Sequence, residues 1–249
     1  VGLKGKRVVI TRPPEQSGEL RAKLLQAGAI PILFPTLATE AIPPSPSQPA
    51  PQHLRHYDWL LFTSANGVRY GLEYLAAAGL ALAPSLRIGV VGQATAAALE
   101  PYGLKADLIA QKSSAEGLLE ALRALGPLAG GRFLLLVAEG ARDELFEGLK
   151  AARAFVERIP VYRTILGQPR PEALAALRKG FDAAVFASPS SVRGWVALAP
   201  GIVPPKVVCI GPTTAQAARE CGLGVDCVAD AQSATGLLEA LEKVFTEVA

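Results

Sequence analysis

Methionine is absent from the 249 residues and asparagine occurs once, at Asn66. With 16 Arg against 9 Lys, this is the bias of a heat-adapted chain, in which thermolabile side chains are thinned out. Histidine is scarce as well. His53 and His56 form an HxxH pair in a proline-rich stretch with no acidic or thiolate neighbour, so they are read as solvated loop residues and no metal is expected. The three cysteines, Cys209, Cys221 and Cys227, are an odd count without a CxxC, which argues against a disulfide framework or a zinc site and leaves them as core fillers. Twenty-five basic against 22 acidic residues give a net charge of only +3, too slight and scattered for a nucleic-acid footprint but compatible with a small anionic ligand. No stretch approaches the roughly 18 apolar residues of a membrane span, and no basic-then-apolar leader opens the chain. The expectation is a soluble, cytoplasmic protein. There is no GxSxG, no phosphate-binding P-loop and no GxGxxG after a strand, which removes the familiar catalytic engines.

What is present is apolar and periodic. Half of the residues are hydrophobic, enough for a sizeable core, and the length suits two ordinary domains. Ten short apolar runs alternate with helical patterns, near residues 7–11, 31–34, 58–63, 87–91, 106–110, 132–137, 156–159, 182–187, 206–210 and 225–228. This alternation predicts an α/β fold with mainly parallel sheets. Residues 19–27 and 117–125 have the apolar spacing of helices, stopped by Gly28 and Gly126, and Ser113 with Glu116 has the spacing of a capping box.

The strongest signal is an internal repeat. Residues 92–122 align without a gap on 211–241 and agree at 16 of 31 positions, pairing Gly92 with Gly211, Thr95 with Thr214 and Ser114 with Ser233. YDWLLFTSANGVR from Tyr57 matches FDAAVFASPSSVR from Phe181, and the opening segment matches 132–164, pairing Thr39 with Thr164. Each copy supplies five strands, which suits a doubly wound, flavodoxin-like layer with ligands beyond the carboxyl ends of its strands. The proline-rich passage 41–51 marks a loop just inside a domain boundary, and 160–171 is its counterpart crossing. The repeat leaves open whether each domain is one sequential copy or whether the copies exchange halves; the loop placement leans toward exchange.

Strands repeatedly end in a small hydroxyl residue at a helix start: Thr11, Ser64, Gly92–Gln93–Thr95, Ser114, Ser188 and Ser190, and Gly211–Pro212–Thr213–Thr214. Helix starts carry unpaired N–H groups and a positive dipole end, so a set of them could hold several carboxylates without many lysines. The competing reading is that each hydroxyl merely caps its helix. Arg12, just after the first strand, could meet an anionic ligand; Arg69 and Arg193, one turn into matching helices, read at least as well as outward surface charges. Tyr162 lies where the chain crosses between domains, and a phenol protonated at neutral pH can donate a proton to a leaving hydroxide.

At these residues the sequence resembles the uroporphyrinogen-III synthase family. VVITRP from Val8, LLFTSANGV from Leu60, VVGQAT from Val90, IPVYRT from Ile159, VFASPSSV from Val185 and CIGPTTAQA from Cys209 are similar to the family's landmarks, in the family's order. The resemblance implies a monomer of two flavodoxin-like domains, each a five-stranded parallel sheet, joined by a two-stranded ladder. One domain, 39–162, is inserted into the other, 1–38 plus 163–249. It further implies an enzyme without a cofactor that takes linear hydroxymethylbilane between its domains. No nucleic-acid or membrane partner is implied, and the substrate would come by transient hand-over from hydroxymethylbilane synthase. Substrate is gripped by main-chain amides; Thr213, Thr214, Ser188, Ser190, Ser64 and Thr95 match the family's binding positions and Tyr162 its proposed proton donor. The alternative from another class is a two-domain protein that clamps an acidic small molecule without chemistry.

Overall fold

The computed structural model describes residues 2–45, 51 and 53–246. Part of the proline-rich loop expected at 41–51, residues 46–50, lies outside the described residues. In chain order the elements are β1 (Arg7–Ile10), α1 (Pro14–Gln26), β2 (Ile30–Leu33), β3 (Leu37–Ala41), β4 (Trp59–Phe62), α2 (Ala65–Ala77), β5 (Arg87–Val90), α3 (Gln93–Ala97), β6 (Leu108–Ile109), α4 (Ala115–Ala124) and β7 (Arg132–Ala138). There follow α5 (Glu144–Ala151), β8 (Phe155–Leu166), α6 (Pro171–Arg178), β9 (Ala183–Phe186), α7 (Pro189–Leu198), β10 (Val207–Cys209), α8 (Pro212–Glu220), β11 (Cys227–Val228) and α9 (Ala234–Thr246). All ten expected strands are present. Sequence patterning missed β3, because LATEA carries no apolar run, and it cut β8 short, because Pro160 and the polar residues on either side interrupt the pattern.

Two compact units divide the chain, residues 1–38 with 165–249 and residues 39–164. The first holds a parallel sheet in the order β11-β10-β9-β1-β2. The sheet of the second runs β6-β5-β4-β7-β8 in the same parallel sense, with β3 added beside β8. Val9 stands opposite Ala184 in the first sheet, and Leu60 opposite Leu134 in the second. The opening strands of one sequence copy therefore pair with the closing strands of the other, an exchange of halves.

Strands buried on both faces must be apolar at nearly every position, and β4 and β9 are buried throughout. In the first unit Val8 and Ile10 face one core with α1 and α9, while Val9 faces another with α6, α7 and α8. The second unit repeats this. Leu60 and Phe62 pack against α2, and Leu61 against α4 and α5. Trp195 of α7 is the largest fully buried side chain; it meets Phe34, Phe181 and Phe186 edge-on at 5.3–5.8 Å and donates Nε1–H to the Ile202 carbonyl at 2.9 Å.

Four aspartates just before or at strand starts tie neighbouring strands together. Asp58 accepts from the Arg132 amide, Asp107 from Ile88, Asp182 from Arg7 and Asp226 from Val207, at 2.7–2.8 Å. Each returns its own N–H to the carbonyl of that same residue. The parallel ladder is thereby pinned in register at its amino edge, in both units alike. At the carboxyl edge the strands turn into helix starts, and the reversal of winding direction falls between β1 and β9 in one sheet and between β7 and β4 in the other.

The second sheet carries one irregularity. Along β8 the register with β7 is regular up to Val137 opposite Pro160, then skips one residue so that Ala138 stands opposite Tyr162. Proline has no N–H for the ladder and is accommodated at bulges. The skip turns two consecutive side chains, Val161 and Tyr162, into the same core.

Candidate functional site

Six of the helix starts at the carboxyl rims, those of α2, α3, α4, α7, α8 and α9, fall into two kinds. In the first, a serine caps the helix. Ser64 Oγ accepts from the Gly67 amide at 2.9 Å, Ser114 from Gly117 at 3.1 Å, Ser188 from Ser191 at 3.1 Å and Ser233 from Gly236 at 3.0 Å. Ser188 and Ser191 complete a reciprocal box. The cap of α4 is thus Ser114, and the box expected at Ser113 and Glu116 is corrected: the extended residue before the first helical turn is Ser114, one position later. Glu116 sits in that first turn, where its own backbone N–H and the Ser114 hydroxyl hold its carboxyl below the ordinary range.

In the second kind the cap is a glycine. Gly92 begins α3 and Gly211 begins α8, both in extended backbone with no side chain to satisfy the amides behind them. Those amides lack intrahelical acceptors by construction and point out of the helix start. At Gly92 glycine is needed for space rather than conformation, since a Cβ would stand 2.5 Å from Ser113 Oγ; at Gly211 a Cβ would meet only the flexible end of Gln232, with Nε2 at 3.2 Å. Thr95 and Thr214 are buried beneath these starts, whereas Gln93, Pro212 and Thr213 are exposed on top. The two copies of the repeat thus build the same glycine-capped helix start, one in each unit, although α3 is short and α8 spans nine residues.

On the first unit's rim Thr11 is fully buried; its hydroxyl donates to the Val185 carbonyl at 2.7 Å and so fixes β1 to β9. Arg12 is half-buried, and desolvation pulls its guanidinium below the ordinary range while Glu19 acts in the opposite sense. Ser190 is exposed on the first turn of α7, one residue before the partner of Ser188. Arg193 is exposed, as an outward charge should be. Arg69 is not: its guanidinium lies 4.2 Å from the Tyr70 ring centre and its Nε is buried, a correction that follows from Tyr70 lying buried beside it.

In the second unit the bulge delivers Tyr162 to the carboxyl end of the sheet. Its side chain is 8% exposed, its hydroxyl is 3.1 Å from Ser64 Oγ, and its ring stacks on Tyr70 with centres 5.2 Å apart and planes 19° apart. Ser64 therefore serves two partners: it accepts from Gly67 and shares a hydrogen with the phenol. Sequence reasoning placed Ser64 and Tyr162 in the site separately; it missed Tyr70, whose only linear signal was an apolar position on a helix. Near Ser114 a cavity of about 250 Å³ is lined by Thr63, Val91, Ser113, Arg142 and Arg158. The two arginines are paired with Glu144 and Asp143. His53 and His56 are exposed, with rings 5.4 Å apart, and no group of three or more metal-binding side chains occurs among the described residues. Among them, too, no helix is long and apolar enough to cross a membrane.

At the rim of the second sheet the structure sets the Tyr162 phenol against the serine that caps α2. Residues 18–239 match the family model described as uroporphyrinogen-III synthase HemD. A protein named uroporphyrinogen-III synthase from Synechococcus elongatus is 34% identical over 260 residues, covering 97% of this chain and 96% of its own. The porphyrin biosynthesis protein HemD of Ruminiclostridium josui is 31% identical over 89% of this chain, which spans 45% of that longer protein. The crystal structure of uroporphyrinogen-III synthetase from Helicobacter pylori shares the fold with a TM-score of 0.63 at 18% identity, over 94% of this chain and 97% of that one. A mutant Thermus thermophilus uroporphyrinogen III synthase does so with a TM-score of 0.55 at 22% identity, over 98% and 100%. With its model matched over most of the sequence and a near full-length relative a third identical, the chain belongs to the uroporphyrinogen-III synthase family.

Proposed function

We propose that this chain is a cyclising lyase that converts hydroxymethylbilane to uroporphyrinogen III with loss of water and inversion of the last ring. The observation that carries the reading is the buried Tyr162 phenol hydrogen-bonded to Ser64 at the carboxyl rim of a sheet. Each sheet has its second strand outside the first, the strand order of a flavodoxin-like layer, and β3 with β8 is read as the ladder joining the two.

The substrate is a flexible chain of four pyrroles with eight carboxylates and a terminal hydroxymethyl group. The glycine-capped starts at Gly92–Gln93 and Gly211–Thr213 offer it main-chain amides, and Arg12 adds a cation. Ser190 is on hand at the surface, while Ser114 and Ser188 order the helix starts they cap. Thr95 and Thr214 act from beneath, and Thr11 holds the strand ends that carry Arg12 and Ser188.

Departure of hydroxide is driven by the pyrrole nitrogen lone pair and needs only a weak acid. Tyr162 gives its proton to the leaving oxygen, water departs, and an azafulvenium cation remains. Attack by the substituted carbon of the last ring gives a spiro-pyrrolenine, which fragments and recloses with that ring inverted. The proton lost as the final pyrrole regains aromaticity restores the phenol, so no cofactor is consumed. Because spontaneous closure gives the unrearranged isomer, orientation supplies most of the advantage, up to roughly 7–11 kcal/mol in favourable cases. The same instability of the substrate favours direct hand-over from hydroxymethylbilane synthase in the cytoplasm to a monomeric enzyme.

The test is to supply freshly made hydroxymethylbilane and resolve the porphyrin isomers after oxidation. Isomer III in excess over the enzyme-free control is expected. Isomer I alone would leave only binding without chemistry.

A further inference from the structure

We propose that Tyr70 is a positioning residue for the Tyr162 hydroxyl, a role that rests on reading Tyr162 as the proton donor. A phenol that is to deliver a proton must be held in angle as well as in place, since its hydroxyl swings with the ring. Two contacts define Tyr162. Ser64 meets the hydroxyl at 3.1 Å, and Tyr70 lies nearly parallel to the ring, 19° off, at 5.2 Å.

Tyr70 is itself immobilised. Its hydroxyl donates to the Thr39 carbonyl at 3.0 Å and lies 2.8 Å from Thr39 Oγ1, tying the ring to β3, the strand beside the one that carries Tyr162. The side chain is 7% exposed. Ser64 and Tyr70 belong to one helix start and helix, and α2 is pressed onto the sheet by two glycines. A Cβ on Gly71 would fall 2.9 Å from both Leu136 Cδ1 and Phe62 Cε1, and one on Gly67 3.2 Å from the Leu136 carbonyl oxygen. The helix therefore has little freedom to slide, and the hydroxyl and ring contacts on Tyr162 are set by one rigid body.

Arg69 completes the arrangement. The Tyr70 and Tyr162 rings, nearly parallel with centres 5.2 Å apart, are offset, an arrangement favoured over a face-to-face sandwich. The guanidinium lies 4.2 Å from the Tyr70 ring centre, a cation–π contact that adds to the hold on that ring.

The experiment combines Tyr70→Leu, Tyr70→Phe and Tyr162→Phe with the double variant Tyr70→Leu/Tyr162→Phe, read by kcat and KM on hydroxymethylbilane and by NMR of tyrosine labelled at the phenol carbon. Tyr162→Phe should lower kcat roughly 100-fold. Tyr70→Leu should lower kcat about tenfold with KM little changed, and add almost nothing in the Tyr162→Phe background, because it acts only through that hydroxyl. Tyr70→Phe, which keeps the stack and loses the Thr39 tie, should retain most of the activity. In the spectrum, the Tyr162 resonance should shift in Tyr70→Leu and stay near its place in Tyr70→Phe. An equal loss from Tyr70→Leu in both backgrounds, or an unmoved Tyr162 resonance, would overturn the positioning role. A Tyr162→Phe enzyme with full turnover would instead overturn the acid reading, whichever way the resonance moved.

Discussion

Tyr162 and the two capping glycines make opposite demands on their surroundings. The phenol must be enclosed and aimed, and it is, between Ser64 and Tyr70. Its hydroxyl is invoked only as the leaving group departs, so the drop expected for Tyr162→Phe should appear in kcat rather than in substrate affinity, which rapid-mixing kinetics separates. The glycines must stay bare. Gly211→Ser would place a capping hydroxyl over the start of α8, where, on the proposed reading, it would compete with substrate for the same amides. The neighbouring atom is the end of a flexible side chain, Gln232, so the fold should tolerate the change. Thermal stability is expected to hold or rise slightly while KM increases about tenfold, the loss of one charge-assisted hydrogen bond. An unchanged KM would remove the α8 start from substrate binding.

At the scale of elements, the strand-start aspartates explain how short strands keep register. β10 has three residues and β11 two, too few for the ladder alone to resist slipping. Asp226 exchanges two hydrogen bonds with Val207, its side chain taking the amide at 2.8 Å and its own N–H reaching the carbonyl at 3.0 Å. Asp226→Ala leaves that amide unpaired and should cost about 1–3 kcal/mol, seen as a lower urea midpoint with an unchanged slope. The repeat made the pairing of Asp107 with Asp226 visible in the sequence, yet nothing linear says that an aspartate reaches the next strand's amide. β3 and the β8 bulge were illegible for a related reason. LATEA is half-polar because its outer side chains meet solvent, and the skipped residue at Val161 depends on how β8 lies against β7.

For the whole molecule, the contact pattern assigns a contiguous stretch, 39–164, to one unit and two separate stretches to the other. A polypeptide of residues 39–164 should fold cooperatively by itself, since both of its cores are complete within that range. One ending at residue 125 should not, because it lacks β7 and β8, which continue the second sheet beyond β4, along with the strands that complete the first sheet. Circular dichroism and urea unfolding of the two fragments give the answer. A cooperative transition in 1–125 would show that β7 and β8 are dispensable.

The α/β alternation, the strand positions and the twofold repeat could be read directly, because apolar runs, helix stops and identity between distant segments are properties of the linear chain. So could the candidates Ser64 and Tyr162, each marked by type and by its place at a strand end or a domain crossing. Their meeting could not. Strands that are neighbours in space, such as β1 and β9, are joined by residues as far apart as Thr11 and Val185, 174 positions along the chain. Which halves pair, where a ladder skips a residue, and which ring stacks on the phenol are settled by close packing among such distant segments, where one apolar helix position looks like another until the helix is laid on its sheet.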